Sequence, residues 1–105
     1  MDLIKEEDLN LYDNLDKCIE NLKKLNLTKA KEYIVLAMND DINSGKVQEL
    51  LGIYYELKGN LKLATRHYRA AIALEPDLIS ADKNLKRVCE YKYICSNAYI
   101  SYGFK

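Results

Sequence analysis

Apolar side chains recur three and four residues apart along most of this chain, and this spacing limits its fold more than any other feature. It places the apolar side chains on one face of an α-helix. One such stripe lies within residues 3–25, and further stripes follow at 27–38, 47–57 and 61–72. No segment shows the sustained alternation of apolar and polar residues that is typical of a half-buried strand. The sequence therefore predicts an all-α protein built from helical hairpins.

The breaks between the stripes fall at residues that begin or end helices. Asn43-Ser44 can accept hydrogen bonds from the free N–H groups of a first helical turn, which predicts a helix start. Gly59-Asn60 predicts a turn. Pro76 cannot continue a helix, because it has no N–H and its ring clashes with the preceding turn. Asp77 is then predicted to cap a fifth helix that begins near residue 78.

The composition agrees with this interpretation. The chain has 105 residues, of which only four are Gly and one is Pro. A β-sandwich or barrel needs a turn every 8–12 residues or so, and these counts argue against that many turns. With 49% apolar residues, the chain can bury one core. We therefore expect residues 1–105 to form a single domain.

The second half of the chain repeats a pattern of the first half. At an offset of 34 residues, the coinciding pairs are Asn26 and Asn60, Leu27 and Leu61, Ala30 and Ala64, and Ala37 and Ala71. The preceding helix fits better at an offset of 33, which places Cys18 on Leu51 and Leu22 on Tyr55. The two offsets predict that the first connection is one residue shorter and lacks a counterpart of Gly59.

Seven positions in residues 45–78 combine one leucine with small, aromatic and proline residues at fixed spacings: Leu51, Gly52, Tyr55, Ala64, Tyr68, Ala71 and Pro76. With this spacing, the segment resembles a tetratricopeptide repeat, although Gln48 replaces the usual first aromatic residue. Residues 11–44 resemble a degenerate repeat, with Ile19 at the glycine position. The resemblance implies a short right-handed solenoid of helical hairpins, with repeat 1 at about 11–44 and repeat 2 at about 45–78.

The same seven positions have a physical interpretation. Small residues at Gly52, Ala64 and Ala71 would let the two helices of a hairpin approach closely. Tyr55 and Tyr68 would then fill the space between them. We therefore expect these small residues to be buried at a close helix contact.

The C-terminal region departs from the repeat pattern. No Gly or Pro lies between Pro76 and Gly103, and apolar residues continue at helical spacing, broken only by Lys92. We expect one long end helix at about 78–102, and the alternative is a bent pair of helices. An array of repeats needs such an element to cover its last apolar face. We expect this helix to cap the third and fourth helices, and the alternative is a homodimer through the C-terminal helix.

The chain lacks the motifs of an enzyme. Its single histidine, His67, has no apparent catalytic partner, and no phosphate-binding loop, zinc-protease or nucleophile-elbow motif occurs. Three cysteines, Cys18, Cys89 and Cys95, show no spacing typical of a zinc site or a disulfide framework. We therefore expect a non-catalytic protein with no cofactor and no metal, whose thiols stay reduced.

Localisation and partner class follow from other segments. The first eleven residues are rich in acids and do not resemble a signal peptide. No apolar run is long enough to span a membrane. These features predict a cytoplasmic protein with no membrane partner.

The net charge of zero conceals two halves of opposite sign. Residues 1–53 carry eleven acidic and seven basic residues, for a net charge of −4, and residues 54–105 carry five acidic and nine basic residues, for +4. Lys62, Arg66 and Arg69 form a basic stripe at helical spacing. Solvated outer faces are the simplest interpretation, and an acidic peptide, a head-to-tail self-contact or weak nucleic-acid contact are alternatives. A nucleic-acid partner is disfavoured, because phosphate contact needs a denser basic patch.

The resemblance implies a function in protein binding. Tetratricopeptide proteins bind extended or helical segments of other proteins in a groove lined by the first helix of each repeat. Residues at the matching positions are the groove candidates: Asp16, Glu20, Lys23, Glu49, Ile53, Glu56, Lys83 and Arg87. The expected function is a protein–protein interaction module or adaptor, and the alternative is a self-assembling structural or regulatory homo-oligomer.

Overall fold

The computed structural model describes residues 6–41, 43–90, 93 and 95–103. These residues form α1 (Glu6–Lys23), α2 (Leu27–Asp40), α3 (Gly45–Leu57), α4 (Leu61–Leu74), α5 (Ile79–Val88) and a 3-10 turn (Asn97–Tyr99). The described part of the chain has no strand, which confirms the all-α prediction. Helices α1 and α2 pack as one hairpin, α3 and α4 as a second, and α5 packs against α4. None of the helices described is long and apolar enough to cross a membrane.

Side-chain caps set two of the predicted helix starts. The Ser44 hydroxyl accepts a hydrogen bond from the Val47 amide at 3.3 Å, and the Asn60 side chain accepts one from the Leu63 amide at 3.1 Å. These bonds satisfy N–H groups that have no partner inside the helix.

The predicted cap at Asp77 is wrong. The N-cap residue of α5 is Leu78, with no side-chain cap bond. The Leu78 amide donates to the Glu75 carbonyl at 3.0 Å, which closes a turn with Pro76 and Asp77 at its centre. Proline favours the second position of such a turn, so Asp77 is part of the turn and the helix begins after it.

The close approach of α3 and α4 is confirmed. Ala64 and Ala71 are fully buried. A Cβ atom added at Gly52 would lie 2.6 Å from Cδ1 and Cε1 of the Tyr68 ring, which is also fully buried. Tyr55 is half-buried and stacks on His67, with ring centroids 5.4 Å apart.

The two hairpins are related by one offset of 34 residues. At the α1–α2 turn, the Leu25 amide donates to the Leu22 carbonyl and the Asn26 amide to the Asn21 carbonyl. At the α3–α4 turn, the Gly59 amide donates to the Glu56 carbonyl and the Asn60 amide to the Tyr55 carbonyl. The prediction of a shorter first connection is therefore wrong. Leu25 is the counterpart of Gly59, since both have a positive φ, at 61° and 84°. A leucine in this left-handed conformation is unusual, so the correspondence between Leu25 and Gly59 could not be recognised from the sequence.

The predicted end helix at 78–102 is wrong, and so is the bent pair. Helix α5 ends at Val88, and the only helical turn described after it is the 3-10 turn. Three residues of the predicted helix, Tyr91, Lys92 and Ile94, lie outside the described residues. The described residues 93 and 95–103, here called the C-terminal tail, return across α1, α3 and α5. Ile100 and Tyr102 are buried against the core, so long-range packing overrides the helical spacing of the tail.

Candidate functional site

The C-terminal tail lies on one surface, formed by the first helix of each hairpin and by α5. We call this surface the tail-covered face. The residues that contact the tail through polar or aromatic interactions are Leu22 and Lys23 of α1, Lys46 and Glu56 of α3, and Asn84 and Arg87 of α5.

Two side chains of this face bind the main chain of the tail. Asn84 donates to the Ser101 carbonyl at 2.7 Å and accepts from the Ser101 amide at 2.8 Å. Lys46 Nζ donates to the Tyr102 carbonyl at 2.9 Å. Because they satisfy backbone groups, these contacts would form with many side-chain sequences.

Asn97 fixes the tail to the end of α1. Its side-chain N–H group donates to the carbonyls of Leu22 and Lys23, at 3.0 and 3.2 Å. Carbonyls in the last turn of a helix have no partner within the helix. The Leu22 carbonyl accepts from the Leu25 amide in the turn, and Asn97 adds a second bond to it and one to the Lys23 carbonyl. The Asn97 side-chain oxygen also accepts a hydrogen bond from the Tyr102 hydroxyl.

Glu56 is the centre of a buried polar cluster beneath the tail. Its side chain is fully buried and accepts hydrogen bonds from Tyr68 at 2.7 Å and Tyr93 at 2.6 Å. Arg87 donates two further bonds to it, at 2.5 and 2.7 Å. Burial and the hydrogen bond to Glu56 raise the pKa of Tyr93. Burial lowers the pKa of Arg87, but the bonds and charge of Glu56 outweigh it and the net shift is upward. The cluster therefore contains a paired carboxylate and guanidinium with neutral phenols.

A second buried acid, Glu49, lies about two turns before Glu56 on the same helix. Glu49 is fully buried, with one oxygen 2.6 Å from Lys46 Nζ and the other accepting a hydrogen bond from the Ser80 hydroxyl. At the offset of 34 residues, Glu49 and Glu56 occupy the positions of Leu15 and Leu22 in α1, which are buried too. A buried charge is costly unless it is paired, so Lys46 and Arg87 compensate these two acids.

The structure separates the eight predicted groove residues into two groups. Asp16, Glu20, Lys23 and Lys83 are exposed side chains, of which Glu20 pairs with Lys24 at 3.1 Å and Lys23 lies 5.2 Å from the Tyr102 ring centroid. The other four are covered.

Glu49, Ile53 and Glu56 are fully buried, and the Arg87 side chain is only 14% exposed. These four side chains therefore do not line an open groove in this structure, and a binding role for them stays a prediction. Helix α3 packs against α1, α2 and α4 at once, which leaves little of its surface uncovered.

Sequence reasoning missed the residues that bind the tail. Asn97, Ser101 and Tyr102 were assigned to a helix, and Lys46 was assigned no role. Asn84 did carry a signal in the sequence, because it lies between the apolar residues Ala81 and Leu85 of the predicted helix, and the structure shows that its side chain is fully buried. A polar residue within an apolar stripe must find a buried hydrogen-bond partner.

Two other features of the sequence lie away from this face. The basic stripe Lys62, Arg66 and Arg69 is exposed on α4 and lines a shallow pocket with Thr65. His67 lies 2.9 Å from the Gln48 side-chain oxygen, and burial together with the charges of Arg66 and Lys31 lowers its pKa. Among the residues described, no group of three or more acids, histidines or cysteines is placed to bind a metal ion.

Comparison of this chain with models of protein families, with curated proteins and with solved structures found no match.

Proposed function

We propose that this protein is a non-catalytic protein–protein interaction module of the tetratricopeptide type, which binds an extended segment of a partner on the tail-covered face. One observation carries the proposal: this face already binds a largely non-helical segment, the tail, through contacts to its main chain. Ser96 and Ile100, which flank the 3-10 turn, have extended backbone torsions. A surface that satisfies backbone groups in this way suits an extended peptide from another protein.

The groups that would bind a partner are positioned before it arrives. Arg87 donates to the Asn84 side-chain oxygen at 3.3 Å, and Glu49 pairs with Lys46. Their placement therefore depends on neighbours within the helices and not on the tail alone. A preorganised surface loses less conformational entropy on binding, so fewer contacts are needed for a given affinity.

Site-specific cross-linking tests the proposal. A photo-cross-linking amino acid replaces Lys83, an exposed residue that lines a pocket of about 560 Å³ beside Tyr102. The matched control places the same group at Arg69, an exposed residue on α4. We expect cross-links to a discrete partner from position 83 and not from position 69. The partner segment is then synthesised and its binding measured by calorimetry, with Asn84→Ala expected to weaken it. Equal cross-linking from both positions would contradict the proposal.

A second candidate function is self-assembly. Val35 and Leu36 of α2 are 45% and 47% exposed, and they line a surface pocket together with Tyr33. Such apolar side chains on an outer face are suited to contact with a second copy. Light scattering over a range of protein and salt concentrations separates the two candidates. A monomer at all concentrations favours the interaction module, and a dimer that is lost on Leu36→Lys substitution favours self-assembly.

We further propose that the protein works in the cytoplasm. The support is that Cys18, Cys89 and Cys95 are all free thiols, as expected in a reducing compartment. Imaging of the tagged full chain in its native cell tests this location.

A further inference from the structure

We propose that the C-terminal tail is an internal ligand of the tail-covered face, which a partner segment of similar chemistry must displace. This inference rests on the proposed function of that face and adds its regulation and the kind of segment it accepts. The face is occupied in the free protein, so binding of a partner and release of the tail are one coupled exchange.

The pairing of the buried charges makes release of the tail feasible. Glu56 is paired with Arg87, and Glu49 with Lys46, so each acid has its cation within the helices. Departure of the tail removes the Tyr93 hydroxyl from Glu56 but leaves both ion pairs in place. No buried carboxylate is therefore left without a cation, which is the costly outcome when a buried pair is broken.

The contacts of the tail define the segment that could replace it. Residues 93–103 contain no charged side chain, and the two buried acids of the face are already paired with Lys46 and Arg87. Ile100 and Tyr102 supply the buried apolar groups, and Asn97 supplies the amide that binds the end of α1. The expected partner segment is thus uncharged, with an amide side chain followed at three and five residues by apolar or aromatic side chains.

The thiol of Cys18 reports on tail release. Cys18 is fully buried in the apolar cluster that also contains Ile100 and Tyr102 of the tail. Alkylation of Cys18, measured by mass spectrometry of each cysteine peptide, therefore follows uncovering of the face.

The test uses full-length variants and a synthetic peptide with the sequence of residues 93–103, carrying Cys95→Ser and a fluorophore. Asn97→Ala removes both bonds to α1 and the acceptor of the Tyr102 hydroxyl, and Tyr93→Phe removes the hydroxyl that donates to Glu56, as a milder variant. Tyr99→Ala is the matched control, because Tyr99 lies on the same tail but is 62% exposed. Circular dichroism verifies that each variant keeps its helices.

A tail attached to its own face has an effective concentration of the order of millimolar, so the wild type should compete strongly with the peptide. We expect the peptide to bind Asn97→Ala about tenfold or more tighter than the wild type, with a smaller gain for Tyr93→Phe and none for Tyr99→Ala. Cys18 alkylation should rise in the same order, and saturating peptide should reverse it.

Three results would overturn the inference. The first is a folded Asn97→Ala variant whose Cys18 is alkylated faster but which binds the peptide no better than the wild type does. The second is tail release that appears only as exchange between two copies, seen as a dimer by light scattering. The third is a partner segment that binds the wild type and Asn97→Ala equally. That third result would leave the proposed function standing. Peptide binding with no partner found by cross-linking would remove the proposed function and displacement by a partner, and would leave only the tail as an internal ligand of the face.

Discussion

Substitution of Gly52 by alanine tests the helix contact at the centre of this fold. In an open helix, Gly→Ala stabilises by about 1 kcal/mol, because glycine loses more backbone entropy on folding. Here the added Cβ would lie 2.6 Å from two atoms of the Tyr68 ring and 3.1 Å from a third. Ordinary carbon contacts are about 3.5–4.0 Å, so the ring and the helix must separate by roughly 1 Å.

Tyr68 has little freedom to move away. Its ring is fully buried and its hydroxyl donates to Glu56 at 2.7 Å. Overpacking of this kind costs about 1–3 kcal/mol. We take the upper part of that range, since displacement of the ring also strains the bond to Glu56. After subtracting the gain in helix propensity, we expect Gly52→Ala to destabilise the protein by about 1–2 kcal/mol.

Thermal and urea denaturation followed by circular dichroism measure this loss. For a domain of this size, each kcal/mol lowers the melting temperature by about 4–8 °C. A double-mutant cycle with Tyr68→Leu, which removes the ring, identifies the cause. In that background, Gly52→Ala should cost little or become stabilising. An unchanged or higher melting temperature for Gly52→Ala alone would refute the close-packing explanation.

Three further predictions concern single side chains. Ala64→Leu should destabilise the protein by about 1–3 kcal/mol, because Ala64 is fully buried at the α3–α4 contact, and urea denaturation measures this loss. Burial raises the pKa of the Cys18 thiol to about 12, so at mildly alkaline pH Ellman's reagent should react rapidly with Cys89 and Cys95, and only slowly with Cys18, which stays covered until the tail is released or the chain unfolds. Rapid labelling of all three would contradict the burial of Cys18. The pKa of His67 is lower in the folded protein than in the unfolded chain. As the pH falls, the unfolded chain therefore protonates this imidazole first, and stability should decrease as the pH falls through 6.5 and below. In His67→Gln, denaturation midpoints between about pH 7 and pH 5.5 should vary less, and an unchanged pH dependence would exclude this role.

Local features of the sequence were sufficient to predict the helices up to α5. The caps at Ser44 and Asn60, and the stop before Pro76, depend on backbone groups within a few residues of each side chain. The close contact at Gly52 was predicted from the repeat spacing, because a small residue on one helix and an aromatic residue on the next indicate which faces of the two helices meet. The capping signals do not depend on how the rest of the chain folds.

Local spacing could not reveal the buried acids. Glu49 and Glu56 were expected on an exposed groove, because acidic side chains usually face water. Each is buried only because a cation from the same or a distant helix compensates it: Lys46 for Glu49 and Arg87 for Glu56. The second pairing spans α3 and α5, and no pattern in either helix alone predicts it.

The sequence by itself determined that this protein is all-α, and where α2, α3 and α4 begin and end, because helix periodicity and capping are short-range effects. The tertiary structure alone decided the path of the C-terminal tail and therefore the nature of the candidate site. The apolar residues of the tail have helical spacing, but Asn97 finds carbonyls at the end of α1 and Ser101 finds the amide of Asn84. These long-range bonds, together with burial of Ile100 and Tyr102, outweigh the local preference for a helix, and only the folded chain brings those partners together.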